Sequence, residues 1–254
     1  MIQGRIWSAG VCLAVLMMGV PAWGQQTNAA PAAQQPDAAA PKPLDQEALI
    51  RMIDAAVHAR TDGIEGYLVT EHYAVFRGGD EEHPAAEMTV KTIYRKSTGK
   101  TYIIQAESGS EILRKLVLRE ILDNEKHINL PENREASWIT SANYLMMMRP
   151  GGVQRLDGRD CYVLEISPKR KAPNLIDGTL WVDAKDGSII QIEGIASKSV
   201  SVFSGPTQMM RQYAGMDGYA MATHARAVAD STLFGRTVIK IDYLNYGIQL
   251  APAH

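Results

Sequence analysis

The chain has 254 residues, 46% of them hydrophobic, with 26 Lys and Arg against 28 Asp and Glu and a formal net charge of −2. This near balance carries no electrostatic footprint for nucleic acid, which is excluded as an expected partner. With only 2 cysteines, Cys12 and Cys161, the chain is not a disulfide scaffold, so burial of apolar surface must hold its fold together.

Residues 1–24 read as a signal peptide. Arg5 supplies a single positive charge, residues 6–20 form an apolar stretch, and Ala22 and Gly24 place small side chains where a signal peptidase accepts them. Cleavage is expected after Gly24. The apolar stretch is shorter than the roughly 20 residues a membrane span needs. Export to the periplasm follows, and losing Arg5 with the leader makes the mature net charge −3. Cys12 leaves too, so Cys161 stands alone. It lies in the strand-like run Cys161-Tyr162-Val163-Leu164 with no histidine nearby, and reads as a buried structural thiol.

Residues 25–43 (QQTNAAPAAQQPDAAAPKP) are rich in Ala, Gln and Pro and poor in large apolar groups, as in a disordered linker. Residues 44–254 then suit one domain. It opens with a helix: Asp45 is placed to cap it, Glu47 lies in its first turn, and Leu49, Ile50, Ile53, Ala56 and Val57 recur at helical spacing. Thr61-Asp62-Gly63 ends it.

The period then changes to two. Tyr67, Val69, Tyr73 and Val75 share one face, with Glu71 interrupting it. Met88, Val90, Thr92 and Tyr94 alternate with polar residues in a half-buried strand. After the turn at 97–100, a strand over 101–106 leads to a second helix. Ser108 and Glu111 have capping-box spacing, and Ile112, Leu113, Leu116, Val117 and Ile121 form its apolar stripe to about Lys126.

Strands are expected over 143–148, 160–167, 179–183, 188–193, 199–203, 208–213, 220–229 and 237–250. Asp186-Gly187 marks a hairpin turn. The connections are short and hold no crossover helices, so the strands form an antiparallel meander. The resulting fold class is mainly β with helices (α+β): an open half-barrel closed by a helical lid.

Three segments carry a resemblance: GRDCYVLEISPK at 158–169, GTLWVDAKDGSIIQIEG at 178–194, and FGRTVIKIDY at 234–243. With the order of leading helix, meander and mid-chain helix, they resemble the LolA-like family of outer-membrane lipoprotein-sorting proteins, in a branch known only by its fold. The resemblance covers about residues 44–248. It implies an open β-barrel with helices at its mouth, an apolar cavity for acyl chains of lipoproteins or lipids, and no bond-making chemistry. Family relatives act as carriers, membrane-anchored receptors or periplasmic regulators. No family site residue maps onto a single position of this chain.

Alternation selects Met88, Val90, Tyr94, Leu116, Val117, Leu180 and Val182 for the cavity or its lid. A one-residue change of register would turn the strand residues to the other face. The abundant methionines suit either a core or a cavity of variable contents. Lys169-Arg170-Lys171 is the one notable basic cluster, read as a solvated hairpin tip or as a rim contact for lipid headgroups or an acidic partner.

The sequence offers no nucleophile elbow and no phosphate loop, and Gly151-Gly152 reads as a turn. None of the 6 histidines has metal-ligand spacing, so no metal, cofactor or catalytic residue is expected. The function expected is a periplasmic carrier that binds an acylated lipoprotein or lipid. The alternative is a regulatory module of the same fold that senses lipoproteins or a segment of a membrane-bound protein.

Overall fold

The computed structural model describes residues 44–198, 205–231 and 235–252. The expected signal peptide, linker and strand over 199–203 lie outside the described residues, as do Phe234 and His254.

The leading helix α1 spans Gln46–Gly63. The Asp45 carboxylate accepts from the Ala48 amide at 2.7 Å, which satisfies one of the free N–H groups of the first turn. Only Leu49 and Ile53 are buried on this helix. Further along, its side chains shrink to Ala55, Ala56 and Ala59, which proves decisive for the site.

Among the described residues eleven strands follow: β1 (Ile64–Arg77), β2 (Ala86–Arg95), β3 (Gly99–Gly109), β4 (Tyr144–Met148), β5 (Gln154–Leu156), β6 (Arg159–Pro168), β7 (Ile176–Asp183), β8 (Ile189–Ala196), β9 (Gln208–Met216), β10 (Tyr219–Ser231) and β11 (Gly235–Leu250). They form one antiparallel sheet in the order β3-β2-β1-β11-β10-β9-β8-β7-β6-β4, with β5 also paired to β6. The last strand returns to lie beside the first, with Tyr73 opposite Ile241. Because β3 and β4 stand at opposite ends of this order, the sheet is open. The chain between them carries the second helical run and crosses from one edge of the sheet to the other.

That run begins at Ser110, two residues later than the sequence pattern implies. Strand β3 stays paired with β2 as far as Gly109, opposite Ala86. The Ser108 hydroxyl therefore donates across the ladder to Glu87 at 3.2 Å, and the Ser110 hydroxyl accepts from the Leu113 amide at 3.5 Å. Three pieces succeed one another without a break: α2 (Glu111–Leu113), a π turn (Arg114–Leu118) and α3 (Arg119–Ile128). In the π turn the Arg119 amide donates to the Arg114 carbonyl, one residue further back than in an α-helix.

Each helical element covers one half of the sheet. Leu49 and Ile53 of α1 pack with Tyr144, Leu164, Leu180 and Ile192 from β4, β6, β7 and β8. Leu113, Leu118 and Leu122 pack with Val69, Met88, Val90 and Ile241 from β1, β2 and β11. Full burial of each such side chain is worth roughly 1.5–3 kcal/mol. The two cores are separate, and between them lies the site. Among the described residues no helix is long and apolar enough to cross a membrane.

Candidate ligand cavity

A cavity of about 1150 Å³ opens between the two helical elements and the inner face of the sheet. Its origin is a shortage of side-chain volume. On α1 the facing positions are Ala55, Ala56 and Ala59, and on β10 they are Ala222, Ala225, Ala227 and Ala229. A close-packed core would fill such positions with larger groups, because protein interiors tolerate few voids wider than a water molecule. Methyl groups on both sides leave the space unfilled. Val117 and Ile121 of the second helical run, Met209 of β9, and Ile239 and Ile241 of β11 complete the apolar lining.

A charged cluster stands on one wall. The Lys100 ammonium and Glu125 carboxylate pair at 2.8 Å, with side chains only 10% and 16% exposed. The Arg211 guanidinium donates to the other Glu125 oxygen at 3.4 Å. Asn129 adds a contact to Glu125 at 3.4 Å. Burial pushes the Glu125 carboxyl up, but Lys100 and Arg211 outweigh it and hold it down at about 2. Lys100 responds in kind: burial lowers it, and the neighbouring Glu125 raises it well above the ordinary lysine value. The cluster joins α3 to β3 and β9, and so fixes the second helical run over the sheet.

Glu71, which breaks the apolar face of β1, points inward and is 1% exposed. The Tyr73 hydroxyl donates to its carboxylate. Tyr67, on the same strand face, stacks on Tyr94 with ring centroids 4.8 Å apart and leans on Tyr246 at 5.8 Å.

Of the residues selected from the sequence, Tyr94, Leu116 and Val117 line the cavity. Leu116 is also 61% exposed. Met88 and Val90 lie in the core beneath the second helical run, and Leu180 and Val182 in the core beneath α1. None of these four lines the cavity, because the helices pack directly on them. Lys169 and Arg170 hold the chain that enters β4: the Lys169 ammonium donates to the Ser141 carbonyl at 2.7 Å, and Arg170 donates to the Ala136 carbonyl. Lys171 is exposed. None of these three lines the cavity.

The cavity groups that local sequence patterns do not reveal are Arg60, Lys100, Glu125, Arg134 and Arg211. The Glu71 that interrupts an apolar strand face is the one visible sign of a polar interior. Cys161 is fully buried. No group of three or more His, Cys, Asp or Glu side chains among the described residues is placed to hold a metal ion.

No protein-family model matches the chain, and no curated protein is similar to it at a significant level. Among solved structures, it is similar to a LolA superfamily protein from Nitrosomonas europaea, with 12% identity, 82% of this chain and 96% of that one covered, and a TM-score of 0.43. It is similar to a DUF1329 family protein from Desulfovibrio piger, with 16% identity, coverage of 80% and 94%, and a TM-score of 0.42. A proposed outer membrane lipoprotein-sorting protein domain from Vibrio parahaemolyticus matches with 14% identity, coverage of 78% and 91%, and a TM-score of 0.44.

Proposed function

We propose that this protein binds acyl chains, of a lipid or of an acylated protein, and carries them outside the cytoplasm. The observation that supports this reading is the cavity itself. At about 1150 Å³ it exceeds the roughly 300–1,000 Å³ usual for small-molecule sites, and its apolar walls come from both helical elements and the sheet. Each CH₂ group that enters such a cavity from water gains about 0.8 kcal/mol without needing a polar partner. Leu116, which lines the cavity and is 61% exposed, gives the incoming chain apolar surface at the mouth. In this reading the protein binds and releases its cargo and makes no bond.

Native mass spectrometry with lipid extraction tests the proposal on protein purified from its own periplasm. Stoichiometric adducts that release acyl chains are expected, and they should be lost in Leu116→Glu. A clean unliganded mass, together with failure to take up added lipids, would remove this reading in favour of a protein-binding module.

A further inference from the structure

Two guanidinium groups of the cavity wall form no ion pair among the described residues. Lys100 and Arg211 share the Glu125 carboxylate. Arg60, in the last turn of α1, lines the cavity, and among the described residues it forms no ion pair. Its Nε is buried without a hydrogen-bond partner. Arg134, which opens the short 3₁₀ turn Arg134–Ser137, lines the same cavity. Its Nη1 donates to the Tyr94 hydroxyl at 3.3 Å and to the Lys96 carbonyl at 2.5 Å. Its Nε is likewise buried without a partner, and no carboxylate among the described residues pairs with it.

Lys96 ties Arg134 to the end of α1 that carries Arg60: its carbonyl accepts from Arg134, and its ammonium donates to the Asp62 carbonyl at 3.3 Å, two positions beyond Arg60. Arg134 also holds the hydroxyl of Tyr94, which stacks on Tyr67. Asn129 and Ser137 line the cavity as well. A buried donor without an acceptor is costly, and a guanidinium presents a planar fork that fits a carboxylate or a phosphate oxygen pair. An alcohol or a bare hydrocarbon end would offer neither guanidinium an anionic acceptor.

We propose that Arg60 and Arg134 form an anion subsite within the cavity, which holds the carboxylate or phosphate of an amphiphile whose acyl chain lies along the alanine-lined space. This inference rests on the acyl-binding reading of the cavity and narrows its cargo to anionic amphiphiles.

Calorimetric titration of the purified protein with decanoate, decyl phosphate and decanol, each below its aggregation threshold, tests it. At least one anion is expected to bind about tenfold more tightly than decanol, or better, as charge-assisted hydrogen bonds allow. Whichever anion binds more tightly identifies the head group as carboxylate or phosphate. Arg60→Gln combined with Arg134→Gln should remove the preference, bringing the ratio of anion to decanol affinity to about one. Equal affinity for decanol and both anions in the unaltered protein would overturn the subsite while leaving the acyl cavity intact. So would a double variant that weakens all three alike. If none of the three binds, the acyl-binding reading fails and the subsite with it. Should the double variant not fold, rising salt applied to the unaltered protein decides: anion affinity is expected to fall relative to decanol, and an unchanged ratio overturns the proposal.

Discussion

The Lys100 ammonium and the Glu125 carboxylate meet at 2.8 Å across the gap between β3 and α3, and both are nearly withdrawn from solvent. Arg211 shares the same carboxylate, so removing Glu125 strands two cations, whereas removing Lys100 leaves Glu125 paired with Arg211. Glu125→Leu should therefore cost about 3–5 kcal/mol, and Lys100→Met less. Urea unfolding of the two variants at neutral pH measures both. A Glu125→Leu variant as stable as the parent would show that the cluster does not hold the helix.

The same carboxylate predicts a pH dependence. Glu125 titrates at about 2 in the folded protein against an ordinary 4.5, so its folded-state value is depressed. A depressed carboxylate stabilises the fold fully above its unfolded value and loses that contribution as the pH falls through the folded value. The window runs from about 4.5 down to about 2, and the contribution lost is about 3 kcal/mol. Unfolding curves between pH 6 and pH 2 should show this slope in the parent and lack it in Glu125→Gln. A slope of equal size in that variant would assign the acid sensitivity to other groups.

The second helical run makes a sharper prediction, because it departs from the regular period. On an ideal α-helix, positions 113 and 118 point in different directions, yet Leu113 and Leu118 are both fully buried in one cluster. The π turn between them adds a residue and returns Leu118 to the core face. Leu116, which regular spacing assigns to the apolar stripe, is turned out and 61% exposed. Leu118→Ala should thus cost about 2–5 kcal/mol, and Leu116→Ala less than about 0.5 kcal/mol. Thermal or urea unfolding of the two variants separates them, and equal costs would contradict the π turn.

This contrast marks where the sequence is legible. Strands such as β2, β6 and β7 follow from alternation, since side chains with a period of two face one buried side. The N-terminus of α1 follows from Asp45, a local cap. What depends on a change of period, such as the π turn, escapes a reading that assumes 3.6 residues per turn. What depends on distant partners escapes as well: Glu125 meets Lys100 across 25 positions and Arg211 across 86. For the same reason Arg60 and Arg134 look like ordinary surface arginines until the fold places both at one cavity. Met88, Val90, Leu180 and Val182 were legible as inward-facing, but alternation alone does not separate a core position from a cavity wall.

The hairpin joining β7 and β8 touches α1 at Gly187, where the backbone φ is +74°. A Cβ there would come within 2.7 Å of the Met52 carbonyl carbon. Gly187→Ala must both strain the backbone and push the turn off the helix. A loss of about 1–3 kcal/mol is expected from the backbone conformation alone, with more from the displaced contact. Unfolding midpoints measure it, and no loss would mean that the turn can lift from α1 without consequence.

The alanines of β10 offer the most direct test of whether the cavity is built for cargo. Ala227 lines it from β10. Ala227→Leu would push extra methylene groups into space that other side chains leave empty, so it should bury apolar surface without overpacking. The unliganded protein is then expected to gain about 0.5–2 kcal/mol, as cavity-filling changes commonly do. Acyl-chain binding should weaken by tenfold or more, because about two CH₂ groups of cargo at about 0.8 kcal/mol each would lose their place. Unfolding curves and titration with a labelled fatty acid on one preparation give both numbers. Gained stability together with lost binding would show that the alanines hold the space open for a ligand at a cost to the fold. Lost stability would mean that the walls close on themselves when empty, and that the acyl-binding reading must be given up for this cavity.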